Sequence, residues 1–237
     1  MDDIESLQKL IDESDNIVFF GGAGVSTDSG LKDFRGKGGL YTQSNGLKPE
    51  YMLSNSCLYN EPELFFDYYR ENLDTSNIEP NITHKYLTKL ESTGKLKTII
   101  TQNIDGLHQK AGSKNILEVH GTTYRNYCDK CKKDYPSDYI FKTTGVPRCT
   151  CGGIIRPDVT LYGEMLPDDF IKAEEYISKA DLLIVAGTSL TVHPACDLIR
   201  YFRGRNLVII NNDSTPYDYM ANLVINKPLK DVFSKLK

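Results

Sequence analysis

Short, largely apolar runs recur along the chain, and nearly all end in a polar or glycine-rich cluster. Ile17–Phe20 leads into Gly21-Gly22-Ala23-Gly24, and Leu96–Thr101 into Gln102-Asn103-Ile104-Asp105. Ile116–Val119 is followed by His120-Gly121, Leu182–Ala186 by Gly187-Thr188-Ser189, and Leu207–Ile210 by Asn211-Asn212-Asp213. A sixth run, Leu223–Ile225, precedes a last helix. A continuous apolar run predicts a strand buried on both faces. Other stretches carry the helical period instead. Ile4, Leu7, Leu10 and Ile11 predict an amphipathic helix over residues 3–14. Pro62 opens a helix through Leu64, Phe65, Tyr68 and Tyr69, and Pro80-Asn81 opens another that buries Tyr86, Leu87 and Leu90. Strands separated by helices predict an α/β fold with a doubly wound parallel sheet. Ligands in such sheets sit beyond the carboxyl ends of the strands, where the polar clusters fall.

The first cluster invites a diphosphate. Glycines at 21, 22 and 24 allow a sharp turn, and Ser26 or Thr27 is expected to open a helix as its N-cap. Strand, glycine turn and helix start together present free N–H groups to an anion. The pattern departs from G-x-G-x-x-G, because Thr27 stands where the third glycine belongs. No strand ending in an acidic residue follows about 20 residues on, where a dehydrogenase holds its ribose. The run GKGGLYTQSNG after Arg35 reads as a mobile loop of functional length. Gln102, Asn103 and Asp105 place amide and carboxylate groups at one strand end, which suits a ribose and a carboxamide. On the residues alone, a histidine ending a strand, as His120 does, reads more readily as structural than as a base. His84 reads as structural and satisfied locally, His108 as holding its loop together, and His193 as a surface or packing residue.

Cysteine spacing changes the picture. Cys128-x-x-Cys131 and Cys149-x-Cys151-Gly152-Gly153 form two knuckles that can deliver four thiolates to one zinc ion. Four protein ligands leave no open position, so the metal is structural. Cys57 and Cys196 have no partner in sequence and read as plain thiols. The chain has 28 basic and 32 acidic residues, a formal charge of −4, so a strong nucleic-acid-binding surface is not implied. No apolar run reaches the length of a membrane span, and MDDIESLQKL lacks the basic start and apolar core of a signal peptide. A reducing, cytoplasmic setting is the expectation.

GAGVSTDSGLKDFRG closely resembles the first signature of the sirtuins, the NAD-dependent protein-lysine deacylases, here of the bacterial type. The resemblance continues in TQNIDGLHQKAG, in the His-Gly after ILEV, in the paired cysteines, in RPDVTLYGEMLP and in GTSLTVHPA. It departs in Leu31-Lys32, in Gly21 and in the shortened second cysteine pair, none of which removes a group the chemistry needs. It implies a Rossmann-like body of residues 1–36, 81–123 and 156–237. A cofactor loop with a helical module (37–80) and a zinc ribbon (124–155) are inserted into that body. By resemblance His120 is the general base, Asn103 positions the ribose, and Asp105, with Ile104 beside it, holds the nicotinamide amide. Gly22, Ala23, Gly24, Ser26, Thr27 and Arg35 match the diphosphate and ribose contacts, with Gln102 at the same strand end. Phe34 matches an aromatic that shields the reactive sugar, and Gly187, Thr188, Ser189 and Asn211 match the adenosine side. Val159, Leu161 and Gly163, otherwise an ordinary apolar connector, match the segment to which an acyl-lysine peptide adds as a strand.

The activity so implied is NAD-dependent deacetylation of protein lysines, releasing nicotinamide and 2′-O-acetyl-ADP-ribose, with a structural zinc and no membrane partner. Two rivals are an ADP-ribosyltransferase or NAD hydrolase, which keeps the first step, and a non-catalytic NAD or ADP-ribose sensor. The helix after the cofactor loop reads Leu64-Phe65-Phe66-Asp67-Tyr68-Tyr69-Arg70-Glu71. It lacks the Tyr-x-x-Arg that sirtuins preferring succinyl- or malonyl-lysine carry there, so an uncharged acyl group is expected.

Overall fold

The computed structural model describes residues 2–32 and 48–237. Phe34, Arg35 and the Lys37–Gly46 loop lie outside the described residues.

Among the described residues nine strands form in chain order: β1 Ile17–Gly21, β2 Leu96–Thr101, β3 Ile116–Glu118, β4 Gly121–Cys128, β5 Asp134–Tyr135, β6 Ile155–Val159, β7 Leu182–Ala186, β8 Asn206–Ile210 and β9 Leu223–Ile225. Six of them make one sheet in the order β3-β2-β1-β7-β8-β9, with every neighbouring pair parallel. Counted within the sheet this is 3-2-1-4-5-6, the Rossmann order, whose direction of growth reverses between β1 and β7. The predicted runs Leu96–Thr101, Leu182–Ala186 and Leu223–Ile225 are the strands β2, β7 and β9.

Burial follows the period of two. Ile17 and Phe19 of β1 face a core with Leu7, Ile11, Leu87 and Phe233. Val18 and Phe20 face the opposite core, with Ala173, Ile177 and Ile199. All of β1 and β7 is buried, because helices cover both faces of the sheet. The N-terminal helix runs Asp3–Asp12, capped by Asp2 with Glu5 reciprocating.

A second sheet, β5-β4-β6, is antiparallel. Its neighbours are the helices Pro49–Met52, Asn55–Asn60 and Pro62–Leu73. These helices and residues 140–161 share one core: Leu58, Phe65, Phe66 and Tyr69 pack with Ile140, Ile154 and Leu161. Two segments far apart in sequence therefore build a single lobe, and neither closes an apolar face alone. Backbone pairing ties this lobe to the connector after β6, where the Tyr162 N–H donates to the Leu53 carbonyl and the Asn55 N–H to the Tyr162 carbonyl, each at 3.0 Å.

Candidate active site

A cleft of about 790 Å³ opens between the carboxyl ends of the large sheet and the small lobe. The turn after β1 contributes Ala23, Gly24 and Thr27; the end of β2 contributes Gln102, Asn103 and Ile104; β7 and β8 lead into Gly187, Thr188, Ser189 and Asn211. His120 lines it too, and beside it run Val159, Leu161 and Gly163, the Thr160 N–H donating to the His120 carbonyl at 2.9 Å.

The glycine turn owes its place to one close approach. The Gly24 N–H donates to the Gly187 carbonyl at 2.8 Å, and a Cβ on Gly24 would lie 2.8 Å from the Gly187 Cα. Side chains there would push the two loops apart at the switch point. The expected helix after this turn does not form. Two 3-10 turns, Ala23–Val25 and Thr27–Ser29, stand in its place. Ser26 is not an N-cap: its backbone is helical rather than extended, and its side chain caps nothing. The reason is a stronger claim on its hydroxyl. Ser26 Oγ donates to Asp105 Oδ2 at 2.6 Å and accepts from Asn103 Nδ2 at 3.0 Å.

Asn103 is further fixed through its backbone N–H, which donates to Thr101 Oγ1 at 3.0 Å. Asp105 accepts the Leu107 N–H at 2.9 Å. Burial pushes the Asp105 carboxyl above its ordinary value, while Ser26, the Leu107 amide and Asn103 oppose that rise. Gln102 Nε2 donates to Thr188 Oγ1 at 3.3 Å, bridging the ends of β2 and β7. Gly22, Ser26 and Asp105 lie behind the lining rather than on it.

His120 Nδ1 is 3.0 Å from the Gln102 carbonyl oxygen. A carbonyl only accepts, so Nδ1 carries the proton and neutral His120 keeps a lone pair on Nε2. Nε2 has no hydrogen bond among the described residues. Burial lowers the pKa of this imidazole, with the Gln102 carbonyl partly opposing, so the ring is neutral at pH 7. Gly121 sets the turn that aims it. At φ +73° a Cβ would lie 2.1 Å from the Asp158 carbonyl oxygen, so only glycine lets β4 leave beside β6 here.

The four ribbon cysteines converge, all Sγ atoms lying within 4.8 Å of one another. Cys128 and Cys151 stand 3.4 Å apart and Cys131 and Cys149 3.6 Å, far beyond a disulfide bond of about 2 Å. Zinc–sulfur bonds of about 2.3 Å in a tetrahedron require sulfurs about 3.8 Å apart. The set fits a structural zinc, and the one-residue gap of the second knuckle is accommodated by Gly152, which is left-handed at φ +85°.

Residues 22–194 match the model of the Sir2 family. The chain belongs to that family. It is 52% identical to an NAD-dependent protein deacetylase of Clostridium perfringens, over 100% of this chain and 99% of that one. It is also 52% identical to an NAD-dependent protein deacetylase of Cutibacterium acnes, over 98% and 97% of the two chains. A solved Sir2 complex with a p53 peptide and NAD+ is 37% identical, with a TM-score of 0.87, covering 99% of this chain and 97% of that one. The Sir2 family uses NAD, and the cysteine cluster of this member is its structural zinc site.

In this Sir2-family chain Arg70 is spent inside the small lobe. It donates to the Ile140 carbonyl at 3.0 Å, to Asp67 at 3.2 Å and to the Gly145 carbonyl, and it lies over the Phe66 ring. It does not line the cleft. His108 corrects its expected role: both ring nitrogens are buried without a hydrogen-bond partner among the described residues, and the ring packs in the core against His84 and Phe19. His84 does accept the Asn81 N–H at 3.3 Å through Nδ1, but its Nε2 is unpartnered among the described residues. The cleft also takes in Leu53, Met165, Phe170 and Ile171. Met165 stands inside RPDVTLYGEMLP and was within reach of motif reading; Leu53 carried no signal, since only the folding of the small lobe brings it there.

Proposed function

We propose that this cleft removes acetyl groups from protein lysines at the expense of NAD, giving nicotinamide, free lysine and 2′-O-acetyl-ADP-ribose. The observation that carries this is one cleft lined by a neutral, pre-oriented His120, by Asn103 and by the adjoining Val159–Gly163 segment. When bound, NAD supplies a sugar carbon with a weak bond to its nicotinamide leaving group. The turn at Gly22, Ala23 and Gly24, with Ser26 and Thr27, would hold the diphosphate, and Gly187, Thr188, Ser189 and Asn211 the adenosine; Phe34 and Arg35 are proposed for the same site on resemblance alone. Asn103 orients the ribose and Gln102 braces the strand ends around it. Asp105 would receive the nicotinamide amide next to Ile104, through acceptor capacity of its carboxylate that Ser26, the Leu107 N–H and Asn103 leave over. His120 Nε2 takes the proton of a ribose hydroxyl, which becomes the nucleophile toward the acyl carbon. Val159, Leu161 and Gly163 receive the acyl-lysine peptide, and the apolar wall excludes water that would hydrolyse the sugar.

The substrate class is therefore an extended, acyl-lysine-containing segment of a protein. No described helix is long and apolar enough to cross a membrane. No disulfide joins any of the six cysteines, which suits a reducing cytoplasm, and the charge of −4 does not favour nucleic acid. Incubation with NAD and an acetyl-lysine peptide, with mass analysis of every product, tests the reading. Free lysine peptide with acetylated ADP-ribose supports it; ADP-ribosylated protein or free ADP-ribose alone overturns it in favour of the transferase or hydrolase, and no turnover in favour of the sensor.

A further inference from the structure

On the rim of the same cleft, three side chains with metal-binding atoms converge where sequence spacing showed only a surface histidine and a plain thiol. His193 stands in the turn just before a 3-10 helix, Ala195–Tyr201, that carries Cys196 and Asp197, and across that turn the Cys196 N–H donates to the Val192 carbonyl at 2.9 Å. Their Nδ1, Sγ and carboxylate oxygen lie within 4.8 Å of one another. His193 Nδ1 is 2.7 Å from Asp197 Oδ2 and 3.4 Å from Cys196 Sγ.

Hydrogen bonding alone accounts poorly for that arrangement. Asp197 and Cys196 both address the same ring nitrogen, so the three do not form a relay through the imidazole, in which thiol and carboxylate would meet opposite nitrogens. Three donor atoms crowding one point is instead what a coordinated ion requires. The other carboxylate oxygen is held away from that point: Tyr217 OH donates to Asp197 Oδ1 at 3.2 Å, and Arg200 Nε lies 3.4 Å from it. Such outer contacts orient a ligating carboxylate.

We propose that His193, Cys196 and Asp197 form a second zinc site, distinct from the ribbon, with its fourth coordination position open toward the cleft. A mixed nitrogen, sulfur and oxygen set suits Zn2+ over harder cations such as Mg2+. Zinc bonds of about 2.0–2.3 Å put neighbouring ligand atoms more than 3 Å apart. The exposed His193 ring can move the fraction of an ångström that separates it from that spacing. Because His193 lines the cleft, an ion held there stands on the cleft wall. Coordination replaces the Cys196 thiol proton, which is released to solvent. Metal binding is measured without turnover, so this proposal and the deacetylase reading fail independently.

The test uses full-length protein with its ribbon zinc in place. Added Zn2+ is titrated by calorimetry, and Co2+ is added separately and read by its thiolate charge-transfer absorption. One further equivalent is expected in the wild type and none in Cys196→Ala or in the surface variant His193→Ala. Cys57→Ala, which removes a buried thiol elsewhere, keeps the extra equivalent. Co2+ absorption should vanish in Cys196→Ala and persist in Cys57→Ala. No further equivalent in the wild type overturns the proposal, and so does an extra equivalent that survives in both Cys196→Ala and His193→Ala.

Discussion

Glu164 grips Arg156 through both guanidinium nitrogens, at 2.5 and 2.9 Å. The same carboxylate accepts the Leu161 N–H at 2.9 Å and Asn55 Nδ2 at 2.9 Å. One acidic group thus joins β6, the helical module and the connector proposed to receive the peptide. Burial works against its ionisation, yet Arg156 and the Leu161 amide hold its pKa below the usual value. Glu164→Ala leaves the buried Arg156 guanidinium unpaired. Removing one partner of a buried pair costs about 3–5 kcal/mol, and Glu164 keeps a side-chain exposure of 19%, so the loss should fall at the low end. Urea denaturation measures it, and KM for the acetyl peptide should rise more than KM for NAD. Equal KM values for wild type and variant would remove the positioning role.

His120→Ala should leave NAD binding nearly intact while slowing deacetylation by about 10²–10⁴-fold, the contribution of a positioned base. Nicotinamide exchange should suffer less, because that step precedes the base. The lowered His120 pKa carries a sign. The active form is neutral, so kcat/KM should stay level down through pH 6.5, the ordinary imidazole value, and fall only below it. A rise in rate on acidification, or near-wild-type turnover in the variant, contradicts the assignment.

The ribbon metal should matter to activity although no cysteine touches the cleft. A structural zinc site contributes on the order of 10 kcal/mol to local folding, and the ribbon adjoins the lobe that carries Leu53, Val159 and Leu161. Cys149→Ala should lose that metal, melt at lower temperature and deacetylate more slowly. Full activity in protein stripped of all metal refutes a structural role.

Two buried imidazoles make the fold acid-sensitive. His84 and His108 pack with ring centroids 4.7 Å apart. Burial brings His84 down to about 4 and His108 well below its ordinary value, with His84 adding to the shift. Both are neutral when folded and titrate near 6.5 when unfolded. The unfolded chain therefore takes up more protons as pH falls, and stability present above about pH 6.5 is lost toward pH 4. His84 alone should cost about 2 kcal/mol between pH 7 and pH 5. Urea denaturation at the two pH values reads the loss. His108→Phe should reduce it, and an unchanged pH dependence in that variant argues against the pair.

Acyl choice should favour acetyl over succinyl peptides of the same sequence. Arg70 is committed to Asp67, Ile140 and Gly145, so no guanidinium from that helix reaches the cleft to bind an acyl carboxylate. Comparison of kcat/KM on matched peptides decides this, and equal or faster turnover of the succinyl peptide overturns it.

Much of this was legible in the sequence because it is local. Short, largely apolar runs marked the six strands of the large sheet, since burial on both faces leaves little polar alternation. Glycine, histidine and asparagine clusters at their carboxyl ends marked the cleft, and cysteine spacing marked the ribbon zinc. Tertiary structure decided what depends on contacts between distant segments. Asp105 and Asn103 took the Ser26 hydroxyl from its expected capping role across 79 and 77 positions, and the turn became two 3-10 turns instead of a helix. His108 reads as a loop residue until Phe19 and His84 enclose it. Leu53 reaches the cleft only because two segments far apart in sequence share one core. Chain neighbours alone could not show how the Asp197 carboxylate is turned toward His193, because Tyr217, twenty positions on, holds its other oxygen. Period and spacing report what a residue can bury or bind; which partner it finds is settled by the packing energy of the whole chain.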